Sequence, residues 1–340
     1  MKKNHGKMFI FVLIITVIST MFLAGCSGKT GDSENVGGTN TDSKSQQSNY
    51  PTRPIQLIVP YGAGGDTDTN CRMLAKYLTK ELGQSVVVSN VTGASGAVGS
   101  QQVLDASPDG YTVLFNHPTM LMNTALGLSE FSYKDFDNAG IACIDDANVF
   151  VVKADSKYKT LNDVVEDAKA NPSKIRFATS MGSFTHLQIL ALQEQTGTEF
   201  NAADMGDMAA YIVALLGNQI EMIGCQYGVV KDYIESGEFR CLGVLSEERN
   251  PLISDVPTFK EQGVDISFSK FFFFSFPKGT PTEIIEKFST AVENVCNNED
   301  YAKEANGVYV TPSYMPPAEA IEYIEKNEKT YEKILENVDL

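Results

Sequence analysis

The chain has 340 residues, 43% of them hydrophobic and 21% charged, with 27 lysines and arginines against 43 aspartates and glutamates for a formal charge of −16. That apolar content excludes wholesale disorder, and the acidity argues against a nucleic-acid binder, because phosphate contact needs a basic surface. The sequence carries no 20–50-residue period, which excludes a solenoid, and its length suits two lobes better than one at roughly 100–200 residues per domain.

Lys2, Lys3 and Lys7 precede an apolar run, Met8 to Ala24, that ends in Leu23-Ala24-Gly25-Cys26. A basic head, a short apolar core and small residues before a cysteine predict an export signal over residues 1–25, cleaved before Cys26 once its sulfur is lipidated. Acyl chains on Cys26 would hold the protein on the extracytoplasmic face of the cell membrane, or in the periplasm where an outer membrane exists, because each buried CH₂ adds roughly 0.8 kcal/mol. Residues 26–49 are almost entirely Ser, Thr, Gly, Asn, Asp, Gln and Lys. They read as a flexible tether with a mean span of roughly 25–30 Å.

From Tyr50 the pattern is strand, loop, helix. Ile55 to Pro60 reads as a strand, Tyr61 to Asp68 as a Gly-rich turn, and the following helix carries Cys71, Leu74, Ala75, Leu78 and Leu82 on one face, with Asp68 as its N-cap and Gly83 at its end. Val86 to Val88 is a second strand, Gly93 to Gly99 opens a second helix, and Tyr111 to Phe115 is a third strand. Further on, strands are predicted at Val149–Lys153, Ile175–Thr179, Gln219–Gly224, Phe239–Leu245 and Phe271–Phe276. Helices are predicted at Leu161–Ala170, Phe184–Gln195, Met208–Leu216, Pro281–Asn297 and Pro316–Asn337. This alternation predicts an α/β fold with largely parallel sheets and ligands at the carboxyl ends of strands, in the loops after Pro60, Phe115, Thr179 and Gly224.

Two loops carry the chemistry. In Tyr61-Gly62-Ala63-Gly64-Gly65-Asp66-Thr67-Asp68, small residues admit a ligand close to backbone N–H groups, and the helix behind adds its positive end. It matches neither dinucleotide nor P-loop spacing. Thr179 to His186 has the same build. Ser183 and His186 admit an alternative, an extracellular serine-type hydrolase, although no G-x-S-x-G elbow is present. A third alternative, an adhesin or structural lipoprotein, would lack an enclosed polar cleft. Asp66 and Asp68 fall short of a calcium loop. The Phe271–Phe274 run reads as a buried strand rather than a membrane patch. Cys71, Cys143, Cys225, Cys241 and Cys296 are an odd set at wide spacing, neither a disulfide framework nor a metal site, with Cys225–Cys241 the one pair to consider.

Tyr50-Pro51-Thr52-Arg53-Pro54-Ile55, Pro60 to Asp68, Leu82-Gly83-Gln84, Gly93-Ala94-Ser95-Gly96, Pro108 to Leu114, Gly182-Ser183 with Thr185-His186-Leu187, Gly237 to Leu242, Asp255-Val256-Pro257-Thr258 and Glu261-Gln262-Gly263 occur in order. Together they resemble the substrate-binding proteins of tripartite tricarboxylate transporters, the Bug-type receptors. The resemblance implies a two-lobed, type II Venus-flytrap fold that takes a small carboxylate between its lobes and delivers it to a membrane permease. No cofactor, metal, nucleic acid or catalytic group is expected, and the receptor is expected to be a monomer. Lobe 1 would comprise residues 50–147 and 267–340 and lobe 2 residues 148–266, closing about hinges near 146–150 and 265–271. Ligand-binding residues would be Tyr61, Ala63, Gly64, Asp66, Thr67 and His117 from one jaw. From the other would come Ser180, Met181, Gly182, Ser183, Thr185, His186, Gly206 and Tyr227. Departures from the family pattern are Met181, Asp204-Met205-Gly206 in place of an aromatic-Lys-Gly segment, and Phe271 and Phe272 where Trp is frequent. They favour a ligand bearing an amine, hydroxyls or apolar bulk, with Asp66 as the partner of that amine.

Overall fold

The computed structural model describes residues 49–336. The predicted signal segment, Cys26 and nearly all of the tether lie outside the described residues.

In chain order the elements are β1 (Ile55–Val59), α1 (Asp66–Leu82), β2 (Val86–Asn90), α2 (Ala97–Leu104), β3 (Thr112–Asn116), α3 (Thr119–Ala125), β4 (Phe136–Asp145), β5 (Asn148–Lys153), α4 (Leu161–Ala170), β6 (Arg176–Thr179), α5 (Phe184–Thr196), β7 (Asn201–Asp204), α6 (Met208–Leu216), β8 (Met222–Gln226), α7 (Tyr227–Glu235), β9 (Phe239–Val244), β10 (Lys270–Pro277), α8 (Thr282–Cys296), α9 (Glu299–Gly307), β11 (Thr311–Met315) and α10 (Pro317–Leu335). They build a two-lobed α/β fold on two sheets. One has the order β11-β4-β10-β3-β1-β2 and the other β7-β6-β8-β5-β9.

The sheets are mixed rather than largely parallel. β1 pairs in parallel with β2 and β3, as does β6 with β7 and β8, but β10 runs antiparallel to β3 and β4, β11 to β4, and β5 to both β8 and β9. The exceptions gather where the chain passes from one sheet to the other, between β4 and β5, and where it returns into β10. A strand entering from the opposite sheet runs against the locally wound βαβ units, and helix-strand alternation alone does not reveal that. β7, α3, β4, α7, α9 and β11 were also absent from the predicted elements. They are short or polar segments, or runs such as Phe136–Asp145 whose small residues give no clear period.

Strand alternation sorts the side chains. Phe271 and Phe273 enter a core shared with β5, β6, α5 and α10, whereas Phe272, Phe274 and Phe276 face the core under α1 and α8; all five are fully buried. Likewise Phe150 and Val152 face the shared core, and Val149 and Val151 the core under α6. The aromatic run is thus a central strand covered on both faces, as expected. The shared core spans both sheets: Phe184 of α5 lies 5.9 Å from Phe268 and 6.3 Å from Tyr331 of α10, ring to ring.

Gly83 ends α1 at φ +66°, as predicted, and α4 starts on a Thr160–Asp163 capping box that was not among the predicted signals. Asp68 is not the cap of α1, whose N-cap is Gly65, three residues earlier. Cys225 and Cys241 are free and lie on β8 and β9, on opposite sides of β5. Two strand spacings, about 10 Å, exceed the reach of a disulfide.

Candidate functional site

The ends of β1, β2, β3, β6 and β7 converge on a cavity of about 360 Å³ between the two sheets, at the compact end of the small-ligand range. The starts of α1, α5 and α6 line it, so three helix N-termini, each with a partial positive charge, bound one space, although the Thr67, Phe184, His186 and Ala210 amides already donate to side-chain oxygens. Of the predicted residues, Tyr61, Ala63, Asp66, Thr67 and His117 line it from the first lobe, and Ser180, Ser183, Thr185 and Gly206 from the second.

The first loop is braced by Asp68, whose carboxylate accepts from Gly64 N at 2.9 Å, Asn90 Nδ2 at 2.9 Å and Arg72 Nε at 3.0 Å. Burial opposes its ionisation, but these donors outweigh burial and hold its carboxyl below the usual range. Asp66 turns away from Asp68: one oxygen accepts from Thr67 N at 2.7 Å, and the other pairs with Lys270 Nζ. The two carboxylates therefore serve different partners and do not share a cation. Tyr61 stacks on His117 at 4.2 Å and donates its hydroxyl to Asn116 Oδ1 at 2.7 Å. Burial, and behind it the charge of Lys270, push the His117 imidazole well below its ordinary pKa, so it is neutral.

The second loop is held without charge. Ser183 caps α5, its Oγ accepting from His186 N at 3.3 Å, and the His186 ring accepts from Gly182 N through Nδ1 at 3.3 Å. The ring is thus spent on the loop backbone, whereas Ser183 Oγ meets Thr179 Oγ1 at 3.2 Å. This is not a nucleophile–base pair. Burial lowers the His186 pKa against the pull of Asp204.

The two lobes touch across the cleft. Ser95 Oγ bonds Ser180 Oγ at 2.9 Å and Met181 O at 2.7 Å, and Phe184 N donates to Thr119 Oγ1 at 2.9 Å. A Cβ on Gly62 would sit 3.0 Å from Asp207 Oδ2, and one on Gly182, at φ +78°, would collide with Leu128.

Several predicted residues lie elsewhere. Gly64 and Gly182 make left-handed turns at φ +80° and +78° without lining the cavity, His186 is buried, and Met181 is 46% exposed, outside the cavity. Tyr227 packs on Tyr309 at 4.7 Å, because α7 begins directly after β8 and turns against the 308–309 segment of the other lobe. The loop expected after Gly224 therefore contributes nothing to the lining. Sequence reasoning missed Thr92–Gly96, Thr119, Asp207, Tyr211 and Lys270 as site residues. The Gly93-Ala94-Ser95-Gly96 motif was visible; its role at the cleft was not. Lys270 had one signal, a lone cation heading an otherwise aromatic strand.

Comparison with known proteins is consistent with this geometry. The profile of the "Tripartite tricarboxylate transporter family receptor" matches residues 71–340. A Cupriavidus necator protein, described as a UPF0065 protein in the gbd 5′ region, is 31% identical over 300 residues, 87% of this chain and 91% of its own. Protein BugT of Bordetella pertussis is 34% identical over 241 residues, 69% of this chain and 74% of its own. Among solved structures, R. palustris Rpa4515 with adipate superposes with a TM-score of 0.80 at 26% identity, covering 84% of this chain and 97% of that one.

Proposed function

We propose that this chain, which belongs to the tripartite tricarboxylate transporter receptor family, is an extracytoplasmic solute receptor that captures a small organic anion and presents it to a membrane permease of that transporter type. The single observation that supports this best is the convergence of three helix N-termini on one cavity between the sheets, since helix dipoles and N-terminal amides favour an anion. This local field prevails over the diffuse negative charge of the whole chain, which salt screens beyond about 10 Å.

A small carboxylate suits the volume, and the R. palustris neighbour was solved with adipate, a dicarboxylate. An amino-acid-like carboxylate is the finer version of this reading. The lobes, 50–147 with 267–340 and 148–266, close by hinge motion at the two crossings near 146–150 and 265–271, the ligand favouring the closed state by its differential affinity. The receptor is held at the membrane by lipid on Cys26, and Cys26→Ser should release it from the membrane fraction.

Calorimetry and thermal-shift screening test the core reading. Carboxylates should raise the melting temperature, by about 2.7 kcal/mol of stability at a hundred times Kd. Stabilisation only by neutral sugars or metal ions would overturn it.

A further inference from the structure

We infer that Lys270 is the specificity-determining cation that receives the ligand's acidic group in the cavity, and that Asp66 is its positioning residue rather than a receptor for a ligand amine. This rests on the receptor reading above and deepens it.

Lys270 opens β10 at the return crossing into the first lobe, and its backbone pairs with Asp145 at the end of β4. The residue is 8% exposed yet lines the cavity. A lysine ammonium has three N–H donors. Among the hydrogen bonds of the described residues its acceptor is Asp66 Oδ2, so two donors remain for a group entering the cavity. Asp145, though adjacent, is spent locally: its oxygens accept from Ala147 N at 2.9 Å and from Asn148 Nδ2. Phe272 packs its ring 5.5 Å from the ammonium, and His117 and Asp207 border the same space; among the described residues Asp66 is the carboxylate paired with Lys270. A buried cation with unspent donors facing a cavity calls for an acceptor, and a carboxylate supplies one that strengthens both remaining bonds by charge.

Asp66 then has a definite effect. In the empty cavity it neutralises Lys270 and holds the ammonium in place. When an anion arrives the two compete for one cation, so Asp66 moderates affinity and discriminates against anions too short to reach Lys270.

The test uses the folded chain and calorimetry with succinate, glutarate, adipate, aspartate and glutamate as probes. For probes the wild type binds, Lys270→Met should weaken binding roughly tenfold to a hundredfold, the worth of a charge-assisted hydrogen bond. Lys270→Arg should recover part of it. Asp66→Asn should tighten binding several-fold, because it removes the competitor and keeps the shape. The opposite signs are the signature: a merely structural ion pair would make both variants weaken binding alongside a loss of melting temperature. Equal affinity in Lys270→Met, or weakening in Asp66→Asn, overturns the inference while leaving the receptor reading intact. Should Lys270→Met not fold, Lys270→Gln and Asp66→Asn carry the same comparison. A wild type that binds none of the five probes overturns the receptor reading, and this inference falls with it.

Discussion

The two jaws of the cleft share one construction, a strand followed by a small-residue loop and a helix N-terminus, yet they are held in shape by opposite means. The first jaw is organised by charge: Asp68 gathers Gly64, Arg72 and Asn90, and Asp66 pairs with Lys270. The second is organised by neutral groups, Ser183 on the helix start and the His186 imidazole on the Gly182 amide. What differs is the element behind each loop. Behind the first stands the crossing strand with its buried lysine; behind the second stand Thr179 and a neutral helix turn. The same local grammar therefore yields one jaw that responds strongly to loss of a charge and another that responds mainly to backbone geometry.

The largest expected effect follows from the charge. Asp66→Ala leaves Lys270 buried without its partner, and removing one member of a buried pair costs about 3–5 kcal/mol. Chemical denaturation should show that loss. A cost below about 1 kcal/mol would mean the pair is solvated and the contrast between the jaws is false.

Next comes backbone geometry in the second jaw. Gly182→Ala forces an L-residue into φ +78°, which costs about 1–2 kcal/mol. Leu128 can swing aside, so the strain of the left-handed backbone remains the dominant cost. Ligand affinity should fall with stability, because that turn orients Ser183. No change in denaturation midpoint would place the constraint elsewhere.

A pH comparison separates the jaws by their histidines. Burial depresses both imidazoles, His117 more strongly. The unfolded chain therefore takes up protons first as pH falls below the ordinary value near 6.5, so stability is lost on acidification from there down toward the folded pKa. The slope is at most about 1.4 kcal/mol per pH unit for each histidine. Asp145, whose carboxyl burial raises well above the usual range, contributes the opposite slope. Differences between wild type and each variant cancel that background. His117→Gln should flatten the acid limb more than His186→Gln, and equal flattening would contradict the deeper burial of His117.

The smallest effect is the cap. Ser183→Ala should cost about 1 kcal/mol and Ser183→Asp almost nothing, as an aspartate caps as well. Should the two substitutions cost the same, the Oγ of Ser183 is not acting as the cap.

Much of this was legible in the sequence because the signals are local. The period of Cys71, Leu74, Ala75 and Leu78 specifies one buried face of α1 whatever it packs against, Gly83 marks its end, and two small-residue loops after strands announce two helix N-termini. Family motifs in order sufficed to expect two lobes. Tertiary structure alone decided which side chains meet. Lys270 lies 204 residues from Asp66, and nothing in either neighbourhood reports the other. Tyr227 was expected at the ligand and instead packs on Tyr309, because helix α7 leaves β8 without an intervening loop. Ser95 clasps Ser180 across the cleft only because two separately wound lobes are brought together. The antiparallel strands β5 and β10 arise from the same crossings. Periodicity and capping act over one or two turns of chain, whereas charge pairing and cleft geometry depend on how the whole chain returns upon itself.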